Sequence, residues 1–131
     1  MNAHDLLAKA IRAAASANVL LGAGDADGAC NRAYYAMFDA ARAALLASGA
    51  PVEAEVARTH NGLISAFSLH LVKTGRVPVE LGKALNRAEE LRLAADYKGD
   101  SIDKEDAAWA VSQAQAFVQV MQATFMPTAP K

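Results

Sequence analysis

The chain has 131 residues, 53% of them hydrophobic and 21% charged, with a net charge of −1. That balance excludes intrinsic disorder and low-complexity classes, and no run of about 18 apolar residues offers a membrane span. Near-zero net charge gives no global pull toward nucleic acid, so any RNA contact has to come from a local patch.

Alanine occupies 32 positions, against eight glycines and four prolines. Alanine is the best helix former, and glycine and proline are the worst, so the composition predicts an all-α domain. The first helix is predicted from about Asp5 to Leu21, with apolar residues at three-to-four spacing, and Gly22-Ala23-Gly24 ends it. A second begins near Asp25 or Asp27 as N-cap and runs to about Ser48, where Gly49-Ala50-Pro51 breaks it. Residues 51–57 read as a loop with room for a short turn. Thr59 caps a third helix to about Lys73, closed by Gly75. A fourth is predicted from about Val79 to Tyr97, with Pro78 as an early residue, and Gly99-Asp100 breaks the chain again. Asp103 caps the last helix, about Lys104 to Met126, and Pro127 starts a short tail. No strand-like alternation or internal repeat is present. The expected architecture is an up-and-down bundle of four to five helices. It forms one domain over residues 1–131, with a core at about 5–123 and a tail at 127–131.

A helix turns about 100° per residue, which sorts the polar residues by face. On the second helix Cys30, Tyr34, Met37, Phe38, Ala41 and Leu45 share an apolar stripe and read as core, with Cys30 an inert buried thiol. A second stripe carries Asn31, Tyr35, Arg42 and Leu46, with Asp39 close by, and suits a polar neighbour, either another helix or a partner subunit. On the fourth helix Leu81, Leu85 and Ala88 define the inward stripe, whose continuation reaches Arg92 and Asp96. A guanidinium there must be paired or must line a cleft, because an unpaired buried charge is very costly. Arg92 is therefore either a structural partner of Asp96 or an anion binder in an interhelical cleft. Lys83, Arg87, Glu89 and Glu90 fall away from the stripe and read as solvated.

Three histidines, His4, His60 and His70, stand with one cysteine and share no metal-binding spacing, so no metal and no cofactor is expected. Phosphate-loop and nucleophile-elbow motifs are missing. With one Cys and no secretory signal pattern, a cytoplasmic location is expected.

Three segments stand in order along the chain: Asn31-Arg32-Ala33-Tyr34-Tyr35-Ala36-Met37-Phe38, Thr59-His60-Asn61-Gly62-Leu63 and Arg92-Leu93-Ala94-Ala95-Asp96-Tyr97, followed by a final helix. Together they resemble the HEPN (higher eukaryotes and prokaryotes nucleotide-binding) family. The match spans about residues 5–123 and is nearest the small stand-alone prokaryotic branch ending in Arg-x3-Asp-Tyr. The resemblance implies a helical bundle that forms a homodimer. It also implies a site in the dimer cleft, and for many members metal-independent RNA cleavage as toxins paired with a small nucleotidyltransferase antitoxin. In those members an Arg-x(4–6)-His motif does the chemistry. Here Asp96-Tyr97 stand where the His belongs, and no His follows an Arg at that spacing. The leading expectation is a dimeric module that binds nucleotide, RNA or a nucleotidyltransferase through Arg92, Asp96, Tyr97, Asn31 and Tyr35, and that is not an enzyme. The alternative is a non-standard endoribonuclease using Arg92 with Asp96, Tyr97 or His60. By analogy with related toxins, Tyr97 is also a site for covalent nucleotide attachment if such a partner exists.

Overall fold

The computed structural model describes residues 1–97 and 102–127, and every described element is helical. α1 spans Ala3–Gly22, α2 Ala26–Ser48, α3 Ala54–Arg58, α4 His60–Phe67, α5 Val79–Tyr97 and α6 Lys104–Phe125. Local chemistry accounts for most of the boundaries. Asn2 accepts from the Asp5 N–H at the start of α1, and Asp25 accepts from the Gly28 N–H at the start of α2. α2 stops at Gly49, which adopts φ 74°, a left-handed conformation that a side chain would oppose.

Three details differ from the sequence reading. The stretch 51–57, expected as a loop with room for a short turn, contributes to a short helix over Ala54–Arg58, giving six α-helices among the described residues where four to five were expected. The third predicted helix changes register at Ser68, and Ser68–Val72 is a π-helical turn before Gly75 ends the segment at φ 80°. Asp103 precedes α6 without a side-chain cap bond; the nearby tie is instead the Ile102 N–H donating to Asp27 Oδ1 at 2.8 Å. The predicted break at Gly99-Asp100 and the tail beyond Pro127 lie outside the described residues.

α2 is the central rod, packed against α1, α4, α5 and α6. Its inner faces are paved with fully buried alanines, among them Ala29, Ala33, Ala36, Ala40 and Ala44, which let neighbouring helices approach closely. Larger side chains fill the remaining space. Tyr34, Met37, Leu63, Phe67, Phe117 and Met121 are all essentially sealed, and the Phe67 and Phe117 rings lie 5.5 Å apart. Among the described residues no helix is long and apolar enough to cross a membrane.

Cys30 lies in this core, where burial, then the charges of Asp27 and Asp106, push its thiol up to about 11. The thiolate is the reactive form, so we expect no modification of the folded protein by iodoacetamide at pH 8 within an hour, and complete modification in denaturant. Intact-mass measurement checks this; rapid native labelling would contradict the burial.

Candidate functional site

Both stripes of α2, the start of α4 and the last turns of α5 converge on one aromatic cluster. Tyr34, Tyr35 and Phe38 come from α2, with neighbouring rings 5.3–6.1 Å apart. Into this cluster α4 sends His60, whose ring lies 5.2–5.9 Å from all three. Thr59 sets that placement: its hydroxyl accepts from the Gly62 N–H at 3.0 Å and donates to the Val56 carbonyl at 3.1 Å, pinning the first turn of α4.

From α5 comes Arg92, 6% exposed, one of two buried polar or charged residues among those described. Arg92 is both paired and stacked on aromatic rings. Nη1 donates to Asp96 Oδ2 at 3.0 Å, and the guanidinium carbon lies 5.1 Å from the Tyr34 ring centroid and 5.8 Å from that of Tyr35. The other oxygen of Asp96 accepts from Asn31 Nδ2 at 3.5 Å, linking α5 to α2. A second guanidinium, Arg32, sits 5.4 Å from the Tyr35 ring and makes no ion pair among the described residues. The Nε–H groups of both Arg32 and Arg92 are buried without an acceptor. Each unsatisfied donor costs about 1–3 kcal/mol, and more on a charged group.

On the other side of Tyr34 is a second polar chain. Its hydroxyl lies 2.7 Å from His60 Nδ1 and donates to Glu89 Oε2 at 3.1 Å. Burial first, then the charge and hydrogen bond of Glu89, push this hydroxyl well above the ordinary phenol value, with Arg92 opposing. Tyr34 therefore stays protonated at any physiological pH. Glu89 and His60 approach to 4.0 Å, and the His60 side chain remains 38% exposed.

The sequence-named residues are thus distributed unevenly. Asn31, Tyr35, Arg92, Asp96 and His60 meet in one place. Tyr97 projects from the end of α5 at 76% exposure, beside the cluster rather than within it. Glu89 corrects the sequence reading: it is half-buried and bonded to Tyr34, not solvated. It lies three residues from Arg92, so about 60° around the helix, and that flanking position was the available signal. Tyr34 is sealed as expected of core, yet its hydroxyl belongs to the site. Asp39, close to the second stripe of α2, is buried within the bundle; loss of solvent raises its carboxyl pKa, while Lys9, Arg42 and Arg32 pull it down. Among the described residues no group of His, Cys, Asp and Glu is arranged to hold a metal ion.

A family model for the HEPN domain matches residues 3–124. The chain belongs to the HEPN domain family. A UPF0332 protein of Gloeobacter violaceus is 36% identical over 119 residues, covering 89% of this chain and 90% of that protein. A UPF0332 protein of Thermotoga maritima is 42% identical over 78 residues, 60% of this chain and 54% of the relative. A Methanocaldococcus jannaschii protein named as a candidate toxin is 33% identical over 87 residues, 66% of this chain and 61% of its own. These relatives are consistent with the small prokaryotic branch of HEPN proteins. The aligned HEPN region includes all three converging helices, so the cluster is part of the HEPN domain itself.

Proposed function

We propose that this HEPN protein is a single-domain homodimeric module whose α2–α5 face binds RNA or a nucleotide through its phosphate. The observation that carries this reading is the pair of guanidiniums over Tyr35, of which Arg92 alone has a carboxylate partner among the described residues. A phosphate suits that arrangement, because its oxygens accept from planar guanidinium forks and its charge offsets two cations where one carboxylate offsets one. The Tyr35 ring beside them is a stacking surface for a base. Thus the local patch that net charge −1 demanded is supplied by Arg32 and Arg92.

Dimerisation fits the exposed apolar residues next to the site. Leu93 and Tyr97 lie one turn apart on α5, 40% and 76% exposed, flanking the Arg92–Asp96 pair. A second copy packed there would turn an open face into a cleft. An exposed Tyr97 is also reachable by a small nucleotidyltransferase, the partner type that HEPN toxins use, and the Methanocaldococcus jannaschii relative named as a candidate toxin favours such a partner.

A second reading, metal-independent endoribonuclease, is favoured by one observation: His60 and Arg92 lie within 6 Å of the same two tyrosine rings. In that chemistry a ribose 2′-hydroxyl attacks the adjacent phosphorus. The O2′–P bond forms and the P–O5′ bond breaks. His60 takes the 2′ proton and returns a proton to the leaving 5′ oxygen, while Arg92 offsets the phosphorane charge. Of the three candidate bases, His60 fits best, since Asp96 is engaged by Arg92 and Asn31 and Tyr97 lies outside the cluster.

The test is a labelled single-stranded RNA titrated with protein in chelator at about 50 mM salt, with the RNA then resolved on a denaturing gel. Binding that weakens as salt rises, with intact RNA, supports the module. Binding followed by fragments ending in cyclic phosphate supports the nuclease. No binding at 100 μM protein by light-scattering-verified dimer refutes both.

A further inference from the structure

The His60–Tyr34–Glu89 chain has a direction that follows from counting hydrogens. An ionised carboxylate only accepts, so the single hydroxyl hydrogen of Tyr34 goes to Glu89 Oε2 at 3.1 Å. The Tyr34 oxygen is then an acceptor toward His60 Nδ1, at 2.7 Å. That contact is a hydrogen bond only if Nδ1 carries the hydrogen. In a neutral imidazole one nitrogen is protonated and the other holds a lone pair, so Nε2 is left as the basic nitrogen. Nε2 has no hydrogen-bond partner among the described residues, and the side chain is 38% exposed. Tyr34 is sealed in the core and fixed by its neighbours, so the chain is held from beneath by packing.

We propose that Tyr34 and Glu89 are positioning residues that hold neutral His60 in its Nδ1–H tautomer, so that Nε2 accepts a hydrogen bond from a hydroxyl of the bound ligand. Resting on the phosphate-binding reading above, that hydroxyl is a ribose 2′-hydroxyl next to the phosphate taken by Arg92. His60 and Arg92 flank the same pair of tyrosine rings, which puts an acceptor and an anion site side by side. Deoxyribose lacks the donor, so the arrangement selects ribonucleotides. The lone pair that accepts this hydrogen bond is also the one a base needs, so binding and cleavage would use the same tautomer.

Two measurements separate this inference from the reading it rests on. The first is the 15N spectrum of the His60 ring, at a pH where it is neutral, in wild type, Tyr34→Phe and Glu89→Gln. Wild type is expected to give an Nδ1 signal of the protonated kind and an Nε2 signal of the unprotonated kind. Tyr34→Phe removes the acceptor within the same packing volume, and both tautomers should then populate. Glu89→Gln can donate to the Tyr34 oxygen, freeing the hydroxyl to donate to Nδ1 and shifting the ring toward Nε2–H. Wild-type His60 as the Nε2–H tautomer, or variants with unchanged ring signals, overturns the relay whatever the protein binds. The second measurement compares RNA and DNA of one sequence. Wild type should prefer RNA about tenfold, the worth of one hydrogen bond, and in Tyr34→Phe the ratio of RNA to DNA affinity should fall to about one. Equal affinities in wild type overturn the 2′-hydroxyl contact. Absence of any nucleic-acid binding, with the expected tautomer intact, overturns the phosphate site and the 2′-hydroxyl contact but upholds the relay.

Discussion

Replacing Arg92 by alanine is expected to weaken RNA binding on the order of 100-fold and to abolish any cleavage. A charge-assisted hydrogen bond contributes about 1.5–3 kcal/mol, and the lost guanidinium supplies at least one to a bound phosphate. Stability should fall less, by about 2 kcal/mol, for a definite reason. Asp96, the partner left behind, is 31% exposed and can be hydrated, so the full penalty of an orphaned buried charge does not apply. What is lost is the packing of a side chain 7% exposed and its contact with two tyrosine rings. Arg92→Lys separates the roles. It keeps the charge but loses the planar fork and most of the stacking, so binding should fall between the wild-type and alanine values. Fluorescence anisotropy beside thermal melts reads both effects. An alanine variant that stays folded and binds RNA within twofold of wild type would remove Arg92 from the site.

Gly62→Ala should be a strongly damaging conservative change, costing about 3 kcal/mol. A methyl group at this position would run into the Val56 carbonyl oxygen and the Thr59 hydroxyl inside van der Waals contact. Backbone cannot step aside as a flexible side chain can, so either the α3–α4 junction opens or the cap is lost. Overpacking costs about 1–3 kcal/mol and a lost cap about 1 kcal/mol. At this chain length 1 kcal/mol moves the melting temperature by roughly 3–6 °C, so the variant should melt about 10–15 °C lower. Thr59→Ala removes the cap alone and should cost about 1 kcal/mol. Because His60 follows Thr59 directly, the Gly62 variant should also disturb the His60 ring signals, whereas a loss confined to core packing would not. An unchanged melting temperature would mean that the junction has slack absent from this geometry.

The helices were legible because their information is local. Asp25 and Thr59 are capping residues within three positions of the N–H groups they satisfy, and Gly49 and Gly75 end segments by conformational freedom they carry themselves. The stripe of Cys30, Tyr34, Met37, Phe38, Ala41 and Leu45 likewise identified a buried face of α2, because facing direction follows from the 100° turn alone. The π-helical turn at Ser68–Val72 and the short α3 were not legible. Both begin without a side-chain cap bond, the local signal by which the starts of α2 and α4 were read.

The site divides along the same line. By itself the sequence determined that Arg92 faces inward, that Asp96 lies one turn away to pair with it, and that the Arg-to-His spacing of many HEPN nucleases is missing. Both partners of that pair lie on one helix, so periodicity suffices. Only the tertiary structure decided that His60, 26 residues from Tyr34 in the chain, shares a hydroxyl with Glu89, 55 residues from Tyr34. A hydrogen bond between helices depends on their separation and rotation to within an ångström, and those are set by the packing of the whole core.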